Sequence, residues 1–181
     1  DSQLGAVISH SLAGASEDYC KRFFEDLPQT FNPRKFNPDD WAVLAKLAGV
    51  RYVVFTTKHH SGFCMFKTGT TPFNVMNTPF KTDITKEIVQ AFRRQGIAVG
   101  FYFSPEDFWI LHKQGVPIGR VQRTAHYPVN NPELMDHDKR QVKELLTSYG
   151  PIDIMFFDGP ADQLKQYAWS IQPDLMITRG H

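Results

Sequence analysis

The sequence predicts an α/β fold, specifically a TIM-like (β/α)8 barrel of which about five strands and four helices are present. Short apolar runs alternate with amphipathic helical patterns, and near-continuous apolar runs are typical of parallel strands. Polar residues follow several of these runs directly, where barrels build their active sites. A barrel typically needs about 250 residues. We therefore expect residues 1–181 to be one partial catalytic barrel domain, truncated before its C-terminal strands.

Composition excludes several classes of function. The 181 residues are 41% hydrophobic, and 20 basic residues against 19 acidic ones leave a net charge of +1 without a basic block. This predicts a globular domain that binds neither nucleic acid nor a membrane. The apolar runs are too short to cross a bilayer. The chain begins at Asp1 rather than Met, which is compatible with a removed signal, and we favour a secreted, periplasmic or lysosomal location over a cytoplasmic one.

Five apolar runs are predicted strands: Leu4–His10, Arg51–Thr57, Ile97–Phe103, Ile152–Phe157 and Leu175–Thr178. Alternating strands and helices suit either a doubly wound open sheet or a (β/α)8 barrel. No G-x-G-x-x-G or P-loop pattern follows any run, which argues against a nucleotide-binding sheet.

Four helices are predicted between the strands. Asn37 and Asn131, each followed by Pro, cap the first and third helices, and the second starts near Asp83. Glycines stop the first three helices, and the fourth ends before Pro173. Their apolar stripes should face the core. These stripes are Trp41, Leu44, Ala45 and Ala48; Ile84, Ile88, Ala91 and Phe92; Val142, Leu145, Leu146 and Tyr149; and Leu164, Tyr167, Ala168 and Ile171.

Asp158 directly follows the apolar run Ile152–Phe157. A carboxylate there is costly to bury unless it is paired. Asp followed by Gly-Pro also suits a helix start, so an N-cap and a catalytic group are equally supported at this point. Cys20 and Cys64 form no metal-binding pattern, and we expect two buried free thiols rather than a disulfide.

His59 and His60 form the second polar group. Neighbours on an extended segment point to opposite faces, so we predict that they bind no metal and instead bind vicinal hydroxyls. His10 ends the first run, where a core histidine is the simpler interpretation. The segment Tyr102–Trp109 mixes aromatic rings with carboxylates, which suits a sugar, although packing of Phe108 and Trp109 under a long loop is an equal alternative. The stretch Leu111–Asn130 is a predicted loop that by itself indicates no specificity. The residues alone predict a hydrolytic or polyol-binding barrel.

Several segments resemble the α-L-fucosidases of glycoside hydrolase family 29. They are Phe31–Trp41, Leu44–Phe63, Val99–Pro105, Gln141–Gly150 and Phe156–Gly159. The similarity runs from about Gly5 to Arg179. It implies a retaining exo-glycosidase that needs no cofactor and releases terminal α-L-fucose from a fucosylated oligosaccharide or glycoconjugate.

The resemblance also implies roles for individual residues. Asp158 matches the nucleophile, and His10, His59 and His60 match sugar-binding histidines. Tyr102 is the candidate aromatic contact, with Phe103 as the rival position. The remaining candidate sugar contacts are Glu17, Trp109 and Arg179. Two departures are present: the family's His-Trp-Gly or His-Phe-Gly is replaced by His10-Ser-Leu, and its acidic-Trp element by Glu17-Asp-Tyr.

A retaining glycosidase also needs an acid/base carboxyl group about 5–5.5 Å from its nucleophile. In the family this group lies past the position of His181, so we expect these 181 residues alone to show little turnover. Glu106 and Asp107 are the substitutes available within the chain. The alternatives are a non-catalytic sugar-binding or degenerate barrel, and a barrel hydrolase that acts on another sugar or on an amide.

Overall fold

The computed structural model describes residues 17–118 and 124–180. They contain a four-stranded parallel sheet whose strands follow the order of the sequence. The strands are β1 (Tyr52–Lys58), β2 (Ala98–Phe103), β3 (Ile154–Asp158) and β4 (Met176–Gly180). Four of the five predicted strands are thereby confirmed. The remaining one, Leu4–His10, lies outside the described residues.

The α-helices are α1 (Glu17–Lys21), α2 (Pro38–Leu47), α3 (Ile84–Arg94), α4 (Phe108–Lys113), α5 (Pro132–Ser148) and α6 (Asp162–Ile171). A π-helical turn covers Arg22–Asp26, and 3-10 turns cover Leu27–Thr30, Val75–Asn77, Thr124–His126 and Pro128–Asn130. The four predicted helices are confirmed as α2, α3, α5 and α6, whereas α1 and α4 were not predicted. No helix in the described ranges combines the length and apolar character needed to cross a membrane.

Side-chain caps begin the first three predicted helices, at the predicted cap residues Asn37 and Asn131 and also at Asp83. Asn37, Asp83 and Asn131 each accept a hydrogen bond from the backbone N–H three residues later, at 3.3, 2.9 and 3.2 Å. Such a bond satisfies one of the free N–H groups of the first turn. Helix α6 differs, because its N-cap residue is Ala161 and no side chain caps it.

Strand order distinguishes between the two predicted architectures. In a doubly wound sheet the order reverses at a switch point. The order β1-β2-β3-β4 shows no reversal within the described sheet, as expected for a barrel. The described residues establish an α/β fold with a parallel sheet, and closure into eight strands remains a proposal.

One face of the sheet is buried against the helices. The side chains of Val99, Phe101, Phe103, Met155 and Phe157 on this face are fully inaccessible to solvent. The alternate positions of β3 form the opposite face and are only partly buried, since side chains alternate across a strand. The sequence predicted that both faces of the sheet are covered. In the described sheet one face is fully covered and the other is only partly buried.

The predicted core stripe is wrong for α2. Trp41 and Leu44 are 48% and 64% exposed, whereas Ala42 is fully buried. The side of α2 that packs into the core carries Ala42 and Ala45, which places the bulky side chains outward. The stripes of α3 and α5 are confirmed, although α5 also buries His137, which was not predicted. Both cysteines are buried and neither forms a disulfide, as predicted.

Candidate active site

Polar side chains meet at the carboxyl ends of three strands. His59 and His60 follow β1, Ser104 follows β2, and Asp158 ends β3. Parallel pairing aligns these ends, with Tyr102 opposite Phe156. Ligand atoms of His59, His60 and Asp158 lie within 4.8 Å of one another. The structure therefore brings together three of the side chains that the sequence singled out.

The carboxylate of Asp158 is directed into this group. It accepts a hydrogen bond from Tyr102 Oη, and its Oδ2 lies 3.5 Å from His60 Nε2. Its side chain is 34% exposed. The N-cap of α6 is Ala161, so the interpretation of Asp158 as a helix cap is wrong. Alternation along β3 places Asp158 on the same face as Phe156, away from the helix-covered core.

Tyr102 connects the strand ends through its ring and its hydroxyl. The ring stacks on Phe156 with centroids 5.5 Å apart, and on His59 with centroids 5.7 Å apart and planes at 3°. Partial desolvation and the hydrogen bond to Asp158 raise the pKa of Tyr102, so the phenol stays protonated and donates. Phe103, the rival position, is fully buried on the other face. The aromatic side chain at the site is therefore Tyr102.

The two histidines lie side by side, with ring centroids 4.4 Å apart. The expectation that they point to opposite faces is wrong, because β1 ends at Lys58 and the chain turns, with Gly62 N donating to the His59 carbonyl at 3.0 Å. Gly62 has φ +85°, and a Cβ there would lie 2.3 Å from Asp107 Oδ1. This turn therefore requires glycine. Partial desolvation and the neighbouring His60 lower the pKa of His59.

The geometry of His59, His60 and Asp158 permits two kinds of ligand. Two imidazoles and one carboxylate are a donor set that divalent transition metals use, and the distances allow these residues to hold an ion. The same groups offer hydrogen-bond donors and acceptors to the hydroxyls of a sugar. The arrangement of these three side chains is compatible with either.

A buried charge cluster lies beneath the histidine turn. Lys58 Nζ is 2.9 Å from Asp138 Oδ1, 3.2 Å from Asp107 Oδ2 and 4.3 Å from the centroid of the Phe103 ring. Burial disfavours the charge of Lys58, but attraction to Asp138 and Asp107 outweighs it and raises the pKa of Lys58. The cluster anchors the end of β1, directly before His59. Sequence reasoning missed it, because nothing in the sequence pairs these residues.

Asp107 belongs to this cluster rather than to the open site. It is 1% exposed, and its Oδ1 accepts from the backbone N–H of Ile110 at 3.0 Å, which caps α4. Burial opposes ionisation, but Lys58 and His137 hold the pKa of Asp107 well below its usual range. A buried carboxylate that remains ionised is poorly suited to delivering a proton. Its placement argues against Asp107 as a substitute acid/base.

Glu106 lies at the edge of the site between two histidines. Its Oε1 is 2.5 Å from His126 Nδ1, and its Oε2 is 3.7 Å from His60 Nδ1. Sequence reasoning missed His126, which lies in the loop before α5 without any local motif. Only the spatial neighbourhood of Glu106 reveals it.

For the other predicted sugar contacts that it describes, the structure gives a position in the fold but no described contact with the histidine pair. Trp109 lies on α4 and packs beside a second apolar cluster that includes Phe108, with Lys113 Nζ 5.6 Å from its ring centroid. Its described contacts do not connect it to the histidine pair. Arg179 lies in β4, in register with Phe157, and Glu17 is the first residue of α1. His10 lies outside the described residues.

Comparison with known proteins gives consistent matches. The family model described as Alpha-L-fucosidase matches residues 9–179. The tissue α-L-fucosidase of Bos taurus is 34% identical over 137 residues, which cover 74% of this chain and 29% of the bovine protein. The chain spans about a quarter to a third of the length of the curated relatives that it matches, between 24% and 34%.

Solved structures agree with the sequence matches. α-L-Fucosidase isoenzyme 1 from Paenibacillus thiaminolyticus superposes with a TM-score of 0.71 at 36% identity, over 89% of this chain and 41% of that one. A trapped covalent intermediate of the family 29 enzyme from Bacteroides thetaiotaomicron, with 2-fluoro-fucosyl fluoride, has a TM-score of 0.71 at 28% identity, over 93% of this chain and 43% of that one. The family model spans nearly the whole chain, and the chain therefore belongs to the α-L-fucosidase family.

Proposed function

We propose that the full-length protein carrying these residues is a retaining exo-glycosidase that releases terminal α-L-fucosyl residues from oligosaccharides or glycoconjugates. The observation that carries this proposal is the placement of Asp158. Its carboxylate is partly exposed at an open strand end, bonded to Tyr102 and next to His60. A nucleophile needs this combination of access and fixed orientation.

In the proposed reaction a carboxylate oxygen of Asp158 attacks the anomeric carbon of fucose. The new carbon–oxygen bond forms as the glycosidic bond breaks, and the leaving oxygen takes a proton from a second carboxyl group. That group then removes a proton from water, which attacks the anomeric carbon and frees Asp158. We place the second carboxyl group outside the described residues. The covalent intermediate trapped in the Bacteroides thetaiotaomicron relative supports the first step.

The surrounding residues bind the sugar in this proposal. His59 and His60 hydrogen-bond its hydroxyls, and the Tyr102 hydroxyl orients the nucleophile. We also propose sugar contacts for four further residues, from the family resemblance: His10, Glu17, Trp109 and Arg179. The proposed setting is a complete (β/α)8 barrel, of which residues 1–181 form part, in a secreted, periplasmic or lysosomal protein.

The decisive variant is Asp158→Ala in the full-length protein, assayed on an aryl α-L-fucoside. We expect kcat to fall by several orders of magnitude, because no covalent intermediate can form. Azide should restore turnover by entering the vacated space, attacking the anomeric carbon and releasing a fucosyl azide. A matched control is Asp153→Ala, which removes a carboxylate that accepts from Val99 N at 2.8 Å at the opposite end of β3. Wild-type turnover in Asp158→Ala would rule out the nucleophile assignment.

The cluster of His59, His60 and Asp158 supports a second candidate, a metal-dependent hydrolase. The discriminating measurement is the metal content of the purified full-length protein, followed by turnover after chelation. A stoichiometric divalent ion whose removal abolishes turnover would favour this second candidate. Turnover that survives chelation would favour Asp158 as nucleophile. Binding of L-fucose without any turnover would identify a third possibility, a non-catalytic sugar-binding barrel.

A further inference from the structure

The loop after β2 holds one ring nitrogen of His60. His60 Nδ1 is hydrogen-bonded to Ser104 Oγ and lies 3.7 Å from Glu106 Oε2. The backbone of the same segment is tied to the histidine, since Phe108 N donates to the His60 carbonyl at 2.8 Å. With Nδ1 occupied in this way, His60 Nε2 is the nitrogen that faces Asp158, at 3.5 Å.

The other oxygen of Glu106 is held by a buried histidine. His126 is 3% exposed, its Nδ1 lies 2.5 Å from Glu106 Oε1, and its Nε2 lies 2.8 Å from the Pro117 carbonyl oxygen. A carbonyl oxygen only accepts hydrogen bonds, so Nε2 carries a proton. The contact between Nδ1 and the carboxylate requires a second proton between them.

This arrangement makes the position of Glu106 depend on His126. Since Oε1 is engaged with His126, the carboxylate is held with Oε2 toward His60. The side chain of Glu106 is 24% exposed, so without His126 it would have other rotamers available in solvent. Restricting those rotamers is how a buried neighbour positions a surface carboxylate.

We propose that Glu106 is a positioning residue for His60, with His126 as its buried support, so that His60 presents Nε2 to the bound sugar beside Asp158. The proposal rests on the proposed function and deepens it. Glu106 and His126 act through His60 and do not touch the reacting atoms. Glu106 has both carboxylate oxygens directed at histidines, which distinguishes this role from that of a free acid/base.

The first test is a measurement on the protein itself, without substrate. Histidine ring 15N NMR should show that Glu106→Gln shifts the Nδ1 resonances of both His126 and His60. His126→Gln should also shift the His60 resonance, because Glu106 then loses its support. A shift confined to His126 in Glu106→Gln would overturn the proposal, since Glu106 would then not act on His60.

The matched control for this measurement is Glu144→Gln. Glu144 also connects two segments through both carboxylate oxygens, accepting from Thr68 Oγ1 at 2.5 Å and from Gly69 N at 3.0 Å. Glu144→Gln therefore also removes a carboxylate that joins two segments, but at a place away from His60 and His126. It should leave the His60 and His126 resonances unchanged.

The second test is steady-state kinetics of the full-length protein on an aryl α-L-fucoside. Glu106→Gln and His126→Gln should raise KM about tenfold and change kcat less than about threefold, because a misoriented His60 loses a hydrogen bond to the bound sugar. A fall in kcat of several orders of magnitude at unchanged KM would overturn the proposal and identify Glu106 as the acid/base. If the wild-type protein neither binds L-fucose nor turns over, the proposed function fails, while the NMR measurement still decides the contact with His60.

Discussion

The Asp158 carboxylate is oriented by a neutral donor, the Tyr102 hydroxyl. It accepts a hydrogen bond from this hydroxyl, and its Oδ2 lies 3.5 Å from His60 Nε2. Among the Lys and Arg side chains that the structure describes, which do not include that of Arg179, none pairs with it. A strong ion pair would stabilise the carboxylate and reduce its reactivity toward carbon. The hydrogen bond from the neutral Tyr102 phenol fixes its direction at a smaller cost in nucleophilicity.

Tyr102→Phe tests this role of the hydroxyl. The ring and its stacking on Phe156 remain, while the hydrogen bond to Asp158 is lost. We expect kcat/KM of the full-length protein on an aryl α-L-fucoside to fall about tenfold to a hundredfold, the usual range for a hydrogen bond to a charged group. Tyr149→Phe is the matched control, because the Tyr149 hydroxyl donates to Asp83 at 2.7 Å in another part of the fold. Equal kinetics for the two variants would contradict the role of Tyr102.

Three elements meet at the buried charge cluster. Lys58 ends β1, Asp107 caps α4, and Asp138 lies on α5. Burial raises the pKa of Asp138 to about 7, since the attraction of Lys58 offsets only part of the desolvation. Asp138 Oδ2 has no hydrogen-bond partner among the described residues. The cluster therefore joins the elements beneath the site while one of its carboxyl groups titrates near neutral pH.

Stability should depend on pH through Asp138. An unfolded aspartate titrates near about 3.9, whereas the pKa of the folded group is about 7. Between these values the native state holds a proton that the unfolded state has released. The free energy of unfolding contributed by this group therefore falls as pH rises through this window, by at most about 1.4 kcal/mol per pH unit.

Asp138→Asn should remove this part of the pH dependence. Denaturant unfolding at pH 5 and pH 8 should show a smaller loss of stability for the variant than for the wild type. Asp136→Asn is the control on the same helix, because its side chain is 71% exposed and forms a surface ion pair with Arg140. The same pH dependence in all three proteins would show that Asp138 titrates normally. Asp107, whose pKa is lowered, contributes the opposite sign and loses its contribution only as pH falls below about 4.

At the scale of the whole molecule, the outer strands of the sheet and α2 carry exposed apolar side chains. Tyr52 on β1 is 60% exposed, Met176 on β4 is 64% exposed, and Leu47 on α2 is 79% exposed. Single exposed apolar side chains are common on protein surfaces, but Tyr52 and Met176 both lie on the edge strands of the described sheet. Their positions support the proposed barrel, in which further strands would pair with both edges of the described sheet.

The oxidation rate of Met176 tests whether the barrel closes next to β4. In a complete barrel we expect a neighbouring strand to cover it, so hydrogen peroxide should oxidise it about tenfold more slowly in the full-length protein than in the 181-residue chain. Peptide mass spectrometry measures both rates. Met155, which is fully buried in the described sheet, should resist oxidation in both proteins. Equal oxidation of Met176 in both would contradict closure of the barrel next to β4.

The sequence by itself determined the elements and their order. Caps such as Asn37 and Asn131, the glycines after the helices, and the apolar runs are local signals, because backbone hydrogen bonding and side-chain period act over a few residues. Strand ends were therefore predictable, and with them the positions of His59, His60, Tyr102 and Asp158. The resemblance to the α-L-fucosidases rested on these same segments.

Only the tertiary structure determined which polar groups form pairs, which are desolvated and how they are oriented. Lys58 and Asp138 are 80 positions apart in the chain, and His126 lies on a loop with no motif of its own. Whether Asp158 caps a helix or faces an open site depends on the path of the backbone after Gly159. Ion pairing, desolvation and orientation depend on distances through space, which a pattern along the chain does not encode.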